Sequence, residues 1–508
     1  MSHWIILPIV LPALTAASLL LLARFSWDAH RAVSVLATLG LLVVSASLVL
    51  QSADGTIQVY ELGSWPAPFG IVLVLDRLSA LMVLLTSIVG FLSLLHSLQR
   101  WDRRGKNFHA LFQFQLMGIN GAFLTGDLFN LFVFFEILLI ASFGLLLHGG
   151  GTGRIRSGVH YVVFNLAGSA FFLIAIGILY GTLGTLNMAD LAVKVETAGS
   201  GDQALIGAGA FLLLLVFSVK AALLPLYFWL PGAYSSAVAP VAALFSIMTK
   251  VGVYAILRIF TLVFHPQLER IGEPIGQILI LVALLTLLAG SLGVLASRDL
   301  GRLVAYLVIV SVGTLLVSAG LFTEESLAAA VYYLIHSTIV IAALFLLLEG
   351  IATRRGNVGL RLEPTARMIH SSLFGTLFFT AAIAVAGMPP LSGFLGKLFI
   401  LKSAVETPFT IWVFSGVLTS GLLVLIALVR AGSLLFWKTS ADRRPAGKPV
   451  HAGMLVPVIM LLLLIAGLTA ASGPVFNFAT QAAAQLLQPA PYIETVLDSR
   501  INDENSNP

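Results

Sequence analysis

Long apolar runs alternate with short polar connections along nearly the whole chain. A bilayer core of ~30 Å needs about 20 apolar residues in a helix that rises ~1.5 Å per residue. At that length the pattern predicts about fourteen helical spans. They lie near 4–23, 33–51, 74–98, 109–126, 128–147, 160–184, 205–230, 240–264, 276–296, 301–322, 327–350, 370–405, 410–437 and 453–473. Residues from about 486 onward are polar, and we expect a mobile tail there.

The composition supports an all-α polytopic membrane protein. Of the 508 residues, 58% are hydrophobic and only 10% are charged, whereas ordinary soluble domains contain roughly 25% charged residues. The absence of cysteine excludes disulfides, thiolate metal sites and cysteine nucleophiles. The first apolar run lacks a basic segment before it and is long enough to span, so we expect a retained helix rather than a cleaved signal.

Basic residues concentrate in alternate connections between the predicted spans. They are Arg24, Arg31, Arg100, Arg103, Arg104, Lys106, Arg154, Arg156, Arg298, Arg302, Arg354, Arg355, Arg361, Arg367, Lys438, Arg443, Arg444 and Lys448. The opposite connections carry mainly Asp54, Glu61, Asp190, Glu196, Asp202, Glu269, Glu273, Glu324 and Glu325. Because basic loops stay in the cytoplasm, the pattern predicts an even number of spans. Both termini are then expected on the outer, periplasmic side of a bacterial inner membrane.

Five ionisable residues lie deep in predicted spans or within the interrupted ones: Glu136, Lys220, Lys250, His336 and Lys397. A charge at mid-bilayer costs about 2.5–3.5 kcal/mol on insertion scales and marks ion or proton paths. At ~1.5 Å per residue, Glu136, Lys250 and His336 lie about 12, 15 and 13 Å into their spans. We interpret the five as proton-transfer groups. A purely structural alternative exists for His336, which could be a core histidine bonded to a neighbouring helix.

Other charged residues have simpler explanations. Lys402, Arg258 and Arg430 are near span ends, where long side chains extend toward the headgroups. Asp127 and Asp299 stand where helices begin, and we predict that both are N-caps.

The run HGGGTGRIRSG, residues 148–158, superficially resembles a phosphate-binding loop. It has no preceding strand and lacks the Gly-Lys-Ser/Thr ending of such loops. We therefore expect a flexible connection on the cytoplasmic side.

Two apolar segments are too long for one straight span. Residues 205–234 would extend about 45 Å and residues 370–405 about 54 Å as single helices. Each segment also carries one of the lysines described above. The prolines that interrupt them are Pro225, Pro231, Pro389 and Pro390.

A proline removes its own donor and frees the carbonyl four residues earlier. We therefore expect freed carbonyls at Ala221, Val385 and Ala386. Within a membrane such groups are tolerated only where protein or water satisfies them. Interrupted spans in corresponding positions of two halves are typical of transporters built from inverted repeats, with the ion path at the breaks.

Five motifs, in order along nearly the whole chain, resemble one family. They are GDLFNLFVFFEILLIASFGLL (126–146), FSVKAALLPLYFWLPGAY (217–234), SIMTKVGVYAILR (246–258), SRDLGRLVAYLVIVSVG (297–313) and GMPPLSGFLGKLFILK (387–402). The family comprises the antiporter-like subunits of respiratory complex I, membrane-bound hydrogenases and Mrp-type multisubunit Na⁺/H⁺ antiporters. Within it, the GDLFN…FFE form and Lys397 resemble the D-type subunit of Mrp antiporters, because the nearest complex I subunit usually has glutamate there. Arg302 departs from the lysine of many relatives but keeps the charge.

The resemblance implies fourteen transmembrane helices, with helices 4–8 and 9–13 as inverted repeats and helices 7 and 12 broken. Applied to this chain, the divisions are 1–100 for the first three helices, 109–264 and 276–437 for the two repeats, and 453–508 for the last helix and polar tail.

The family's charge set falls on the ionisable residues identified above. The resemblance implies that Glu136 lies on the fifth helix, Lys220 on the broken seventh, Lys250 on the eighth, His336 on the eleventh and Lys397 on the broken twelfth. The hypothesis is a switch in which Glu136 approaches and loads Lys220. When that pair opens, the proton passes to Lys250 and then through His336 toward Lys397.

The expected function is proton translocation in a multisubunit Na⁺/H⁺ antiporter. The expected partners are its A, B, C, E, F and G membrane subunits. We expect no cofactor and no nucleic acid. Three alternatives remain: a proton-pumping subunit of a complex I or hydrogenase assembly, a non-transporting structural subunit, and an independent transporter. The clustered carboxylates and carbonyls that a hard cation prefers are not evident in the sequence, so it assigns no sodium or metal site.

Overall fold

The computed structural model describes residues 3–21, 26–268, 271–438 and 452–497. These residues form a helical bundle with one small hairpin, in which β1 (Gln58–Glu61) pairs antiparallel with β2 (Val72–Leu75). The first ten helices are α1 (Leu7–Leu21), α2 (Trp27–Ser52), α3 (Arg77–Ser97), α4 (Phe108–Leu124), α5 (Leu128–Leu147), α6 (Thr152–Leu183), α7 (Met188–Thr197), α8 (Gln203–Ala221), α9 (Trp229–Ser236) and α10 (Ala239–Phe245). The next ten are α11 (Met248–Leu262), α12 (Gly272–Ala296), α13 (Leu300–Ala319), α14 (Glu324–Arg354), α15 (Ser371–Ala386), α16 (Ser392–Ser403), α17 (Thr410–Gly432), α18 (Ala452–Ala470), α19 (Ser472–Leu487) and α20 (Ala490–Leu497).

Within the described ranges, eleven helical segments are long and apolar enough to cross a membrane by length and composition. Two further apolar helices, α1 and α15, are shorter. The helical architecture predicted from the apolar pattern is confirmed. The number fourteen stays a prediction, as does the division into inverted repeats.

Three segments form the centre of the bundle. In the most apolar windows of α10–α11, α13 and α14, 94%, 89% and 94% of the residues are buried. The corresponding share is 33% for both α2 and α17, whose remaining apolar surface suits contact with lipid. Lys250 and His336 both lie on central helices rather than on the lipid-facing ones.

Both long segments are broken, at Pro225 and at Pro389 and Pro390, whereas Pro231 does not interrupt the chain as predicted, because it lies in the first turn of α9, where a missing N–H is tolerated. The first half-helix, α8, ends at Ala221, the next residue has φ = 59°, and α9 begins at Trp229. In the second segment α15 ends at Ala386, Gly387 has φ = 79°, and α16 begins at Ser392. Each break thus combines a left-handed residue with a proline that cannot continue the helix.

The two predicted N-caps are confirmed. The side chain of Asp127 accepts the backbone N–H of Asn130 at 2.8 Å, at the start of α5. The side chain of Asp299 accepts the N–H of Arg302 at 3.1 Å, at the start of α13. Each carboxylate satisfies a donor that has no partner inside the helix.

The predicted flexible connection at 148–158 is wrong over most of its length. The turn is confined to Gly149–Gly151, where all three glycines have positive φ, and α6 starts at Thr152. Arg154 then donates to the carbonyls of Gly150 at 2.7 Å and Ser236 at 2.9 Å. These bonds anchor the segment to the end of α9.

The chain after residue 486 also differs from the predicted mobile tail as far as residue 497. Here α20 packs with α7 and against β1, and Tyr492 is only 4% exposed. Val496, one helical turn later, is fully buried. The sequence did not predict this helix, because two apolar residues on one face of a two-turn helix are too few to show a helical period. The polar residues around them therefore dominated the prediction of a mobile tail. Residues 498–508 lie outside the described ranges.

Arg258 does not extend to the headgroups as predicted. Its side chain is 7% exposed, and its Nη2 lies 2.5 Å from Oδ2 of Asp76, whose side chain is 2% exposed. The guanidinium also lies 5.4 Å from the ring centroids of Tyr254 and Tyr492. Since Asp76 caps α3, this buried pair joins α11 to the start of α3 beneath α20.

We predict that Arg258→Met lowers the free energy of unfolding by about 3–5 kcal/mol, because Asp76 is left as an unpaired buried charge. Thermal denaturation of the purified, detergent-solubilised complex measures the loss. Adding Asp76→Asn to that variant should recover part of the stability, since the uncompensated charge is removed. Arg430→Met is the control, because Arg430 is exposed and, among the described residues, donates to the carbonyls of Leu295 and Ser297. Equal losses in the two arginine variants would contradict the assignment.

Candidate functional site

The five predicted residues occupy five different helices. Glu136 is on α5, Lys220 in the last turn of α8, Lys250 on α11, His336 on α14 and Lys397 on α16. Lys250 is fully buried, His336 is 1% exposed and Lys397 is 8% exposed. These three side chains therefore lie inside the protein and not at the lipid surface.

Lys220 lies at the end of the first broken half-helix. Its Nζ is 5.3 Å from the centroid of the Phe135 ring, within the range of a cation–π interaction. The negative end of the α8 dipole also favours a cation at this position. Lys220 interacts electrostatically with Glu136, but among the described residues this pair is not one of the ion pairs within 4.0 Å. The two groups are near each other without direct contact.

Glu136 has a different direct partner, a serine on the neighbouring helix α6. The Ser169 hydroxyl donates to Oε1 of Glu136 and also contacts the carbonyl of Asn165 at 3.0 Å. The carboxylate is thus held toward α6 while Lys220 contacts the ring of Phe135. Sequence reasoning did not identify Ser169.

A small cavity adjoins the Lys220 ammonium. Phe135, Tyr161, Trp229 and Val251 are among the residues that line it together with Lys220. It leaves about 20 Å³ for the centres of water molecules, which is space for about one water. A water there could receive or deliver a proton beside the helix break.

Side chains satisfy backbone groups around the first break. The N–H of Leu224, which precedes Pro225, donates to the Thr286 hydroxyl on α12 at 2.9 Å. The indole N–H of Trp229 donates to the carbonyl of Val219 at 3.2 Å. The break is therefore held by groups on α9 and α12, while the freed carbonyl at Ala221 stays a prediction.

Close packing against α11 fixes the turn that carries Lys220. A Cβ placed on Gly252 would lie 2.5 Å from the backbone nitrogen of Ala221 and 2.8 Å from the carbonyl carbon of Lys220. Any side chain at residue 252 would push the two helices apart. Gly252 follows Lys250 by two residues on α11. Its close contact therefore packs the turn that carries Lys220 against the part of α11 that carries Lys250.

Lys250 links helix α11 to helix α13. Its Nζ donates to the Ser311 hydroxyl on α13 at 2.9 Å, and Ser311 in turn donates to the carbonyl of Val308 at 2.7 Å. A buried ammonium needs such a partner because it has lost its water. Nothing in the sequence marks Ser311, since serines are scattered through most of the apolar helices.

His336 contacts the start of the second half of the other broken segment. Its Nδ1 is 2.8 Å from the Ser392 hydroxyl, the first residue of α16. The next residue, Gly393, is so close that an added Cβ would lie 2.7 Å from Nε2 of the imidazole. The Tyr333 ring, one turn earlier on α14, lies 5.9 Å from the imidazole. The imidazole therefore faces the second break, whereas its role in a proton relay stays a prediction.

Lys397 lies across the second break from α15. Its Nζ donates to the carbonyl of Ala386 at 2.7 Å, which is one of the carbonyls that the prolines were predicted to free. The two breaks therefore differ, because Lys220 precedes its break and Lys397 follows the other. A cavity of about 230 Å³, lined partly by Lys397, Gly387 and Gly421, adjoins this ammonium.

The structure places the five residues in three groups. Glu136 and Lys220 form the first, Lys250 with its serine forms the central one, and His336 and Lys397 flank the second break. The partners that sequence reasoning missed are Phe135, Ser169, Gly252, Ser311 and Ser392. Such a series of buried and half-buried donors and acceptors is suited to moving protons through a low-dielectric core.

The chain is similar to known membrane transport subunits. A family model described as NADH:quinone oxidoreductase/Mrp antiporter, TM, matches residues 125–423. The D-type subunit of a probable K⁺/H⁺ antiporter from Rhizobium meliloti is 40% identical over 532 residues, with 98% of this chain and 98% of the relative covered. The D-type subunit of a Na⁺/H⁺ antiporter from Bacillus subtilis is 40% identical over 504 residues, with 98% of this chain and 100% of the relative covered. A chain in the structure of the Mrp complex from Dietzia sp. superposes with a TM-score of 0.89 at 26% identity, covering 98% of this chain and 100% of that chain.

The likeness extends over the whole bundle and not only over one segment. The family model covers more than half of the chain, and its matched region contains all five ionisable residues of the candidate site. The relatives extend the match over nearly the full length. This chain therefore belongs to the NADH:quinone oxidoreductase/Mrp antiporter family of multi-pass membrane subunits.

Proposed function

We propose that this chain is the proton-translocating member of a multisubunit monovalent cation/H⁺ antiporter. The observation that carries the proposal is the Lys250–Ser311 contact at 2.9 Å. This contact bonds α11, which packs against the helix of Lys220, to α13, which packs against the helix of His336. Relatives of nearly the same length, named as the D-type subunits of Na⁺/H⁺ or K⁺/H⁺ antiporters, support the assignment. Because those names differ in the cation, the proposal is for a monovalent cation.

The proposed setting is the inner membrane of a bacterium, with both termini on the periplasmic side. The basic connections then face the cytoplasm, in agreement with the positive-inside rule. The proposed partners are the other membrane subunits of an Mrp-type complex, corresponding to its A, B, C, E, F and G components. In this proposal the chain acts as part of a transporter rather than as an enzyme.

The proposed repeats are residues 109–264 and 276–437. Each contains one broken segment, α8–α9 in the first and α15–α16 in the second. Each broken segment is followed by further apolar helix, α10–α11 and α17 respectively. Paired discontinuous helices near the middle of the protein are the arrangement expected of inverted repeats with an ion path at the breaks.

Glu136 acts in this proposal as a movable counter-charge for Lys220. Burial disfavours an ammonium group, and an approaching carboxylate favours it again. With Glu136 held by Ser169, the pair is open and Lys220 is in its proton-releasing arrangement. Movement of the carboxylate past Phe135 toward Lys220 would load the lysine.

The released proton then crosses to the second half through side chains that both donate and accept. Lys250 receives the proton and passes it to the Ser311 hydroxyl. Ser311 can relay it, because a hydroxyl can accept one hydrogen bond while donating another. Tyr333 interacts with Thr314 on α13 and lies beside His336. His336 and Ser392 then lead to Lys397 at the second break.

We predict that Lys220→Ala and Glu136→Ala abolish pH-gradient-driven cation/H⁺ exchange, because each removes one half of the switch. Glu136→Asp should retain more exchange than Glu136→Ala, since it keeps a carboxylate. Lys250→Ala and Lys397→Ala should lie between strong impairment and loss. Recovery of a fluorescent pH probe after cation addition to everted membrane vesicles measures the exchange.

Complex assembly must be measured in the same membranes. Lys194→Ala provides a matched lysine control, because Lys194 is 39% exposed and pairs with Asp190 on the surface helix α7. Intact exchange in both the Lys220→Ala and Glu136→Ala complexes would overturn the mechanism. Variants that fail to assemble would instead support a purely structural role.

A second prediction concerns the packing that positions Lys220. We expect Gly252→Ala to impair exchange strongly while Lys220 and Glu136 remain in place, because the new methyl group meets the backbone at residue 221. Gly207→Ala on α8 is the control, since no atom of the described part of the chain lies within 4 Å of a Cβ there. The exchange assay and the amount of assembled complex are compared for both. Equal exchange in the two alanine variants would show that this close approach is not required.

The family description also includes NADH:quinone oxidoreductase, so the second candidate is a proton pump component that redox chemistry elsewhere would drive. Purification of the intact complex distinguishes the two. Co-purifying flavin or iron–sulfur proteins would support the redox-driven assembly. Small membrane subunits without redox centres would support the antiporter.

A further inference from the structure

A buried acid–histidine pair lies apart from the five residues described above. His96 on α3 is fully buried and Glu349 on α14 is 7% exposed. Nε2 of His96 lies 3.1 Å from Oε2 of Glu349, and Nδ1 of the same ring lies 3.1 Å from the carbonyl of Met454 on α18. The other carboxylate oxygen, Oε1, is buried without a hydrogen-bond partner among the described residues.

These contacts fix the number of protons that the pair holds. A carbonyl oxygen can only accept, so Nδ1 of His96 must carry a hydrogen to bond with Met454. The Nε2–Oε2 contact is then a hydrogen bond only if a second proton lies between the two atoms. That proton belongs either to the imidazole or to the carboxyl group. Without it, two acceptors face each other at 3.1 Å in a buried site, which is unfavourable.

Glu349 also lines a cavity of about 250 Å³. Arg100, Trp101, Arg154 and Tyr234 are among the other lining residues. Several waters could occupy this volume. The two arginines belong to the basic connections, so the cavity lies at the end of the bundle that we place in the cytoplasm.

Within the described ranges, the cavity beside the pair is lined by few charged residues. Arg354, further along α14, donates to the carbonyl of Gly350 and stacks on Phe374 rather than facing the cavity. Among the cavity-lining residues of α9 and α10, Tyr234 is the titratable one. The charged residues that line the cavity together with Glu349 are therefore Arg100 and Arg154.

Aromatic rings separate this cavity from the one beside Lys220. Tyr234 lines the larger cavity and its ring centroid is 6.0 Å from that of Trp229. Trp229 lines the Lys220 cavity together with Tyr161, with their centroids 5.3 Å apart. One layer of rings thus lies between the water-sized space at Lys220 and the cavity that contains Glu349.

We propose that the Glu349–His96 pair is the proton-capture site of the cytoplasmic entrance, and that the cavity beside it supplies protons from water toward Lys220. This inference rests on the proposed function. The pair holds one proton between two buried groups, the arginine-lined cavity gives that proton access to water, and the Trp229–Tyr234 layer controls passage to the switch.

Thiol labelling tests the access of water. The chain contains no cysteine, so Ala352→Cys places a single thiol of this chain among the cavity-lining residues. In assembled complexes we expect a membrane-impermeant maleimide to label it in everted vesicles and not in right-side-out vesicles. Val340→Cys, fully buried on the same helix, should stay unlabelled in both. Labelling of Ala352→Cys no faster than Val340→Cys would overturn the entrance.

Exchange measurements test proton capture. Glu349→Gln keeps the shape, and its amide N–H can still donate to Nε2 of His96, so a purely bracing role predicts wild-type exchange. We expect instead that exchange by the assembled complex falls by about tenfold or more, as for loss of a positioned proton-transfer group. The deficit should grow as the pH on the cytoplasmic side rises and protons become scarce. Glu325→Gln, an exposed acid at the other end of α14, should exchange like the wild type.

Two outcomes separate this inference from the proposed function. If Lys220→Ala abolishes exchange and Glu349→Gln has the rate and pH profile of the wild type, the capture site is wrong and the switch stands. If Lys220→Ala exchanges normally, the proposed function itself fails. A pH-independent loss in Glu349→Gln would show that the pair acts in another step and would overturn proton capture.

Discussion

The cost of burying polar groups away from water governs this structure. An ammonium, a carboxylate or a free backbone carbonyl inside an apolar bundle must find a partner, because bulk water cannot supply one. Lys250 finds a serine, Lys397 a carbonyl and Arg258 a carboxylate. Each of these partners lies on a different helix or across a break, so the same contacts that satisfy the charges also hold the helices together.

The helix breaks follow from the same constraint. In a continuous helix each interior carbonyl already accepts a backbone N–H, so no carbonyl is left without a donor. At the second break the carbonyl of Ala386 is available, and the Lys397 ammonium occupies it. The proline-rich interruption therefore creates the partner that the buried charge needs. The charge in turn satisfies a backbone group that the interruption exposes.

The sequence is sufficient to predict these breaks and the two aspartate caps and to single out the five ionisable residues, because prolines and charges are rare in apolar runs and each has a strong local effect. It is not sufficient to identify Ser169, Ser311 or Ser392. Hydroxyl residues are common in these helices and many simply bond to the carbonyl one turn earlier, as Thr86 and Ser291 do. Only the packing of separate helices shows which hydroxyl meets a charge. The same limit explains the errors, since Asp76 and Arg258 pair across a long stretch of sequence and Tyr492 is buried by a helix of only two turns.

The asymmetry between the two breaks bears on how protons would move in one direction. The Ala386 carbonyl stabilises the Lys397 ammonium but cannot itself take up a proton under these conditions. Glu136 is different in the proposed mechanism, because its carboxylate carries charge and would change its partner from Ser169 to Lys220. In that mechanism the first break has a counter-charge that changes position, and the second has a fixed backbone dipole. With the movable Glu136 carboxylate at one end and the fixed Ala386 carbonyl at the other, one movement of Glu136 can be coupled to proton transfer along the whole series.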